Sequence, residues 1–185
     1  MEKVELRRLI IQKRLKVKDR LQQELAVSQL ITKYISENEI QRVFSYMAFN
    51  GELSLEMVHQ DIWKNGLSLA LPLMAKKGQM SFHKHGIDDC LIKNSYGVLE
   101  PEEASELITP NDGDLVIVPS VALSLDGSRL GYGGGYYDRF LSNYPHVTRL
   151  APAFSEQINE KIPTLDHDIK MNIVCTCDCL KNVTV

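Results

Sequence analysis

The sequence has no apolar run near the roughly 20 residues that a bilayer-spanning helix needs. Its first twenty residues, MEKVELRRLIIQKRLKVKDR, are charged throughout and lack the continuous apolar core of a secretory signal. Neither membrane insertion nor export is expected, and the default expectation is a cytoplasmic location. There is no surplus of positive charge either: 21 Lys and Arg stand against 24 Asp and Glu, for a net charge of −3. A broad nucleic-acid footprint needs a basic face, so no nucleic-acid partner is expected, the basic first segment being the exception. Cysteine is scarce, and Cys175, Cys177 and Cys179 in NIVCTCDCL lack the separated second pair of the usual zinc patterns. Their alternation predicts reduced thiols on one face of a strand. With no repeat, low-complexity tract or linker, the 185 residues predict one domain, 1–185.

Along the chain, apolar periodicity predicts a basic amphipathic helix over 2–16, with Leu6, Leu9, Ile10 and Leu15 inward. A second helix runs from an Asp19 cap to about Glu37, its apolar contacts drawn from Leu21, Leu25, Leu30, Ile31, Tyr34 and Ile35. QRVFSYMAF reads as a strand, NGE as a turn, and Ser54 to Asn65–Gly66 as a capped helix with a glycine stop. LSLALPLM and MSFHKH read as a hairpin, DDCLIKN as a short helix, and YGVLEPEE as a loop. LVIVPSVAL is an apolar run expected of a strand covered on both faces. YYDRFLSNY reads as a helix, and VTRLAPAF and MNIVCTC as strands joined by a polar connection. Strands alternating with helices predict an α/β layered sheet with helices on both sides.

Five of the eleven glycines fall within nine positions, 127–135, in GSRLGYGGGYYD. Glycine is entropically costly to fix, so such a cluster needs a close approach to the main chain. It follows a buried-type strand and precedes a helix, where open α/β sheets bind anions. The spacing matches neither the dinucleotide fingerprint nor a P-loop, and a phosphate site and a tight structural turn both remain open. Asp138 reads as a first-turn acid or as a magnesium ligand, with Asp168 in DHDIK as its partner. Lys3 and Arg7 share a helix face, as solvated cations or as a polyphosphate clamp. Glu52 is either an exposed loop acid or a polar-ligand contact. His83 and His85 alternate on an expected surface strand.

KVELR, NGELSLEMV, GVLEPEE, VPSVALSLDGSRLGYGGGYYDRFL and IPTLDHDIKMNIVCT, in order and across nearly the whole chain, resemble the 5-formyltetrahydrofolate cyclo-ligase (5,10-methenyltetrahydrofolate synthetase) family. The resemblance implies a three-layer α/β/α sandwich with a mostly parallel central sheet, related to the sugar-phosphate isomerase and CoA-transferase folds. It implies an enzyme that uses ATP and Mg2+ to convert 5-formyltetrahydrofolate to 5,10-methenyltetrahydrofolate, working as a monomer or weak dimer. ATP would be bound by Lys3, Arg7, Gly127, Ser128, Arg129, Leu130, Gly131, Tyr132, Gly133, Gly134 and Gly135. The metal would be held by Asp138 and Asp168, and the folate by Glu52, Tyr136 and Tyr137. Arg129, Tyr136 and Tyr137 would serve the chemistry. Many members carry lysine where this chain has Gly134. The alternatives are a non-catalytic folate- or nucleotide-binding relative and an RNA-associated protein using the basic first helix.

Overall fold

The computed structural model describes residues 2–75 and 78–184. In chain order the elements are α1 (Lys3–Arg14), α2 (Arg20–Glu37), β1 (Arg42–Phe44), α3 (Glu56–Lys64), β2 (Ser68–Met74), β3 (Met80–Lys84), β4 (Leu91–Lys93) and β5 (Leu99–Pro101). There follow β6 (Leu107–Ile108), β7 (Leu115–Ile117), β8 (Ala122–Leu123), β9 (Arg129–Leu130), α4 (Tyr136–Ser142), β10 (Thr148–Pro152), a 3-10 turn (Ser155–Gln157), β11 (Ile173–Cys175) and β12 (Leu180–Asn182).

Eight strands form one sheet in the order β12-β11-β10-β7-β1-β2-β3-β6. The pairings from β11 to β2 are parallel, whereas β12, β3 and β6 pair antiparallel at the two edges. β7 and β11 are apolar throughout, and β1, β2 and β10 are apolar after their first one or two residues, so the period-2 pleat buries residues on both faces. Val43, Leu69, Leu71, Leu115, Ile117, Leu150 and Ile173 meet Val27, Ile31 and Ile35 of α2 and Val58 and Ile62 of α3. Their neighbours Phe44, Ala70, Val116, Ala151 and Val174 meet Tyr137, Phe140 and Leu141 of α4. Fully burying one such side chain is worth about 1.5–3 kcal/mol. The α/β architecture with a mostly parallel sheet covered by helices is as the sequence predicts.

Several local expectations are corrected. LVIVPSVAL is not one strand: β7 stops at Ile117, and after Pro119, which has no N–H for a ladder, the chain enters a separate hairpin of β8 and β9. DDCLIKN is no helix, and YGVLEPEE is not all loop. β4 and β5 pair across a turn in which Asn94 Oδ1 accepts the Tyr96 and Val98 amides and Gly97 takes φ +88°. The cysteines do not share a strand face. The chain reverses at Cys177–Asp178, with the Thr176 N–H donating to Cys179 O, leaving Cys175 buried and Cys179 exposed. Burial and the neighbouring thiols push Cys175 up to about 12. His83 and His85 are buried, not exposed. No helix among the described residues is long and apolar enough to cross a membrane.

Candidate active site

The sheet reverses its direction of growth between β1 and β7: β2 lies on one side of this pair and β10 and β11 on the other. In open α/β sheets the crevice beyond the carboxyl ends of such strands is where ligands bind. The segments leaving β1 and β7 carry Glu52 and the glycine cluster respectively.

After β1, Asn50 and Gly51 both take positive φ, +48° and +74°, the requirement of a tight turn that Asn-Gly meets best. The turn closes by Glu52 N–H donating to Phe49 O (3.0 Å) and Phe49 N–H donating to Glu52 Oε2 (2.9 Å). Its outward carbonyls are collected by two arginines. Arg14 Nη2 donates to Asn50 O (2.7 Å), and Arg20 donates to Gly51 O (3.2 Å) and Glu52 O (3.3 Å). Glu52 is thereby buried, at 7% exposure, where the base expectation was a solvated loop acid. Burial pushes its carboxyl up to about 7, opposed by the Phe49 amide, the Arg14 charge and the Tyr132 hydroxyl.

After β7, Leu125 to Gly127 form the turn of the β8–β9 hairpin, closed by the Ser124 N–H donating to Ser128 O. Gly127 has φ +82° and its missing Cβ would stand 2.5 Å from Met171 O, while Ser128 bonds to the Asp126 carboxylate through its amide and hydroxyl. These two close-packed residues are set apart from the later glycines, and Leu130 is buried against Leu6 and Ile10 of α1. Arg129 is buried, donating to Pro119 O (3.0 Å) and to Asp138 Oδ2 (3.0 Å). Gly131 to Gly135 form the open loop into α4, with φ +100° at Gly133 and +66° at Gly135. Arg139 folds back from α4 and donates to Gly134 O, its guanidinium 5.8 Å from the Tyr136 ring.

The first helix brings Arg7 to this loop and Lys3 to Asp168. Arg7 Nε donates to Gly131 O (2.8 Å), and Arg7 lies against Gly133, where a Cβ would meet its Nη2 at 3.3 Å. Lys3 pairs with Asp168 Oδ2, which also accepts the Leu165 amide. These bonds hold the Asp168 carboxyl below its ordinary range. Asp138 Oδ1 accepts the amide of Ile169, so the two aspartates flank one peptide. Among the described residues no group of three or more His, Cys, Asp or Glu is placed to hold a metal ion.

Lys3, Arg7, Arg129, Gly131, Tyr132, Gly133, Gly134, Gly135, Asp138 and Asp168 are thus linked by hydrogen bonds or chain continuity at one end of the sheet. Tyr137 is buried in the core with a hydroxyl that has no partner among the described residues, and burial first and Glu52 second hold it above its ordinary value. Tyr136 is half-buried and lines a groove of about 650 Å3 with Met80, Ile108, Arg139 and Tyr144. A larger groove, about 710 Å3, lies near Asp126, Lys170 and Lys181 and contains none of the predicted residues. Arg14 was missed by sequence reasoning. It is fully buried and donates to Ser120 O (3.3 Å), Asn50 O and the Tyr132 hydroxyl. The signal was present, since positions 3, 7 and 14 recur on one helical face.

A mostly parallel α/β sheet with a glycine loop and cations at its switch point defines a protein of the open-sheet ligand-binding class. Comparison with known proteins narrows this. The model of the 5-formyltetrahydrofolate cyclo-ligase family matches residues 1–177, and the chain belongs to that family of ligases. It is similar to the 5-formyltetrahydrofolate cyclo-ligase of Haemophilus influenzae, 28% identical over 155 residues covering 81% of this chain and 83% of that one. The Mus musculus protein of the same name is 27% identical over 178 residues, covering 86% and 85%. Among solved structures, the Aquifex aeolicus 5,10-methenyltetrahydrofolate synthetase superposes with a TM-score of 0.80 at 28% identity, covering 99% of this chain and 93% of that one. The Mycoplasma pneumoniae synthetase, at 19% identity, shares the fold with a TM-score of 0.79 and coverage of 96% and 99%.

Proposed function

We propose that the chain converts 5-formyltetrahydrofolate to 5,10-methenyltetrahydrofolate with consumption of ATP and release of ADP and phosphate. The observation that carries this reading is that Arg7 bonds to the Gly131–Gly135 loop while Lys3 and Arg129 bond to Asp168 and Asp138 beside it, at the sheet end that also carries Glu52 and Tyr137. The names of the relatives support the same substrate.

A formyl oxygen is a poor leaving group, so ring closure needs it activated. In the proposed sequence it attacks the γ-phosphorus and ADP departs, leaving an iminium-type carbon bearing a phosphorylated oxygen. N10 then adds to that carbon, the C–O bond breaks with phosphate leaving, and N10 gives up its proton. Phosphoryl transfer asks a protein mainly for positioning and charge neutralisation. Lys3, Arg7 and Arg129 supply positive charge. The amides of Gly131 to Gly135 offer donors without side-chain obstruction. Arg129 Nε, buried without a partner among the described residues, is an unspent donor.

On the folate side, Glu52 reads the polar pterin region. The Tyr137 hydroxyl, kept protonated by burial and without a partner among the described residues, is a donor for a substrate oxygen, and Tyr136 lines the groove at the start of the same helix. Magnesium fits the residues present: it commonly takes one or two carboxylates and completes its shell with phosphate oxygens and water. Asp138 and Asp168 flank one peptide, and among the described residues the bonds of Asp168 all fall on Oδ2. Those two aspartates would hold the ion, which would supply further neutralisation of the phosphates. Purified protein incubated with 5-formyltetrahydrofolate, ATP and magnesium should form methenyltetrahydrofolate, followed by its absorbance. Folded protein that gives no ATP-dependent product would leave only a binding role.

A further inference from the structure

Arg14 is an expensive residue to place where it stands. Its side chain is wholly buried near the end of α1, its Nε has no partner among the described residues, and Glu52, an acid that feels its charge, is buried as well. An aliphatic side chain would fill such a position at lower cost, because a buried guanidinium must recover its desolvation penalty through geometry. What the guanidinium does instead is join three segments that are far apart in sequence. It donates to Asn50 O in the turn that presents Glu52, to the Tyr132 hydroxyl in the middle of the glycine loop, and to Ser120 O where the chain leaves β7. It also lies over the Tyr132 ring, 5.5 Å from its centroid. The Phe49 and Tyr132 rings complete the contact at 6.3 Å.

The Glu52 turn and the glycine loop therefore meet through one rigid, planar fork. A shift of Tyr132 on nucleotide binding cannot leave Asn50 undisturbed, because Arg14 Nη2 holds both. A guanidinium does this where an ammonium would not, since its donors are fixed in one plane.

Resting on the reading above, in which nucleotide occupies the glycine loop and folate the Glu52 side, we propose that Arg14 is the positioning residue that couples the two substrates. Each substrate then binds more tightly when the other is present. Coupling is reciprocal: the factor by which folate tightens nucleotide must equal the factor by which nucleotide tightens folate.

The test is the Kd of a non-hydrolysable ATP analogue with magnesium, measured with and without saturating 5-formyltetrahydrofolate, and the converse titration. The wild type should show equal factors in both directions, of roughly 5- to 150-fold. In Arg14→Lys and in Tyr132→Phe the factor, a ratio within each variant, should fall toward one whatever the change in the Kd for either ligand alone. In turnover this appears as a KM for folate that no longer depends on ATP concentration. Tyr132→Phe keeps the ring of a partly exposed side chain and removes only the hydroxyl, so it reports even if Arg14→Lys fails to fold. A wild-type factor of one, or a Tyr132→Phe protein with the wild-type factor, would overturn the coupling role while leaving the proposed function standing. A wild type that binds neither ligand would overturn the proposed function and the coupling with it.

Discussion

Replacing Glu52 with glutamine should stabilise the protein at pH 8 and leave it nearly unchanged at pH 4.5. The carboxyl is moved from its ordinary 4.5 to about 7 because it is buried. Between those values the folded state holds a proton that the unfolded chain has already released. Stability therefore falls as pH rises through this window, and is fully present only below it. At 1.36 kcal/mol per pKa unit the ionised carboxylate costs the folded state about 3 kcal/mol. In a chain of this size each kcal/mol moves Tm by about 2–4 °C, so Glu52→Gln should gain about 6–12 °C over wild type at pH 8. The gain must come as a difference between the two proteins, because a second buried group masks it. His59 is lowered from 6.5 to about 4 by burial and by His85, so its contribution runs the other way: present above 6.5 and lost as pH falls toward 4. Between pH 4.5 and 6.5 the two slopes oppose each other, and His85, also lowered by burial, adds to the His59 side, so the wild-type profile should not show the fall that Glu52 alone would give. Thermal melts of both proteins at half-unit steps from pH 4.5 to 8 test this. A Tm difference that does not grow with pH would refute the burial-driven shift. The stabilised variant should also lose turnover, since an acid kept at this cost marks a site residue.

The same balance predicts that His59→Gln, which keeps a polar partner for Ser45 Oγ, now 2.7 Å from His59 Nε2, unmasks the Glu52 slope. Its stability should decline as pH rises from 4.5 to 7, by at most about 1.4 kcal/mol per pH unit because His85 still opposes the slope, read from urea melts. Asp138→Asn should cost stability as well as turnover. The aspartate pairs with Arg129, whose side chain is only 5% exposed, and removing one partner of a buried pair costs about 3 kcal/mol. A variant with wild-type turnover would exclude Asp138 from metal binding.

The sheet was legible because its central strands carry unbroken apolar runs, and Gly66 at φ +70° stops α3 where the sequence places the end. The glycine cluster was legible in position but not in division. Local pattern cannot tell that Gly127 packs against Met171 while Gly133 faces Arg7. Helix α1 shows the main failure. Leu9 and Leu15, expected inward, are 39% and 57% exposed, while Arg14 is buried. Hydropathy ranks these residues in the opposite order, and the carbonyls of Asn50 and Ser120 and the Tyr132 hydroxyl, supplied by distant loops, reverse it. Pro119 marked the break in LVIVPSVAL, but an apolar run reads the same whether it lies in one sheet or two.

The Lys3–Asp168 pair joins positions 165 apart, and between them the site draws on residue 52 and on 129–138. No contiguous half of the chain contains it. During synthesis the crevice cannot close until the segment carrying Asp168 has emerged and docked on α1, which makes its completion a late event set by long-range loop closure. A ligand that needs the closed crevice then acts as a fastener for the whole molecule. Its binding energy should appear as slowed amide exchange throughout the central strands, well beyond the loops it touches.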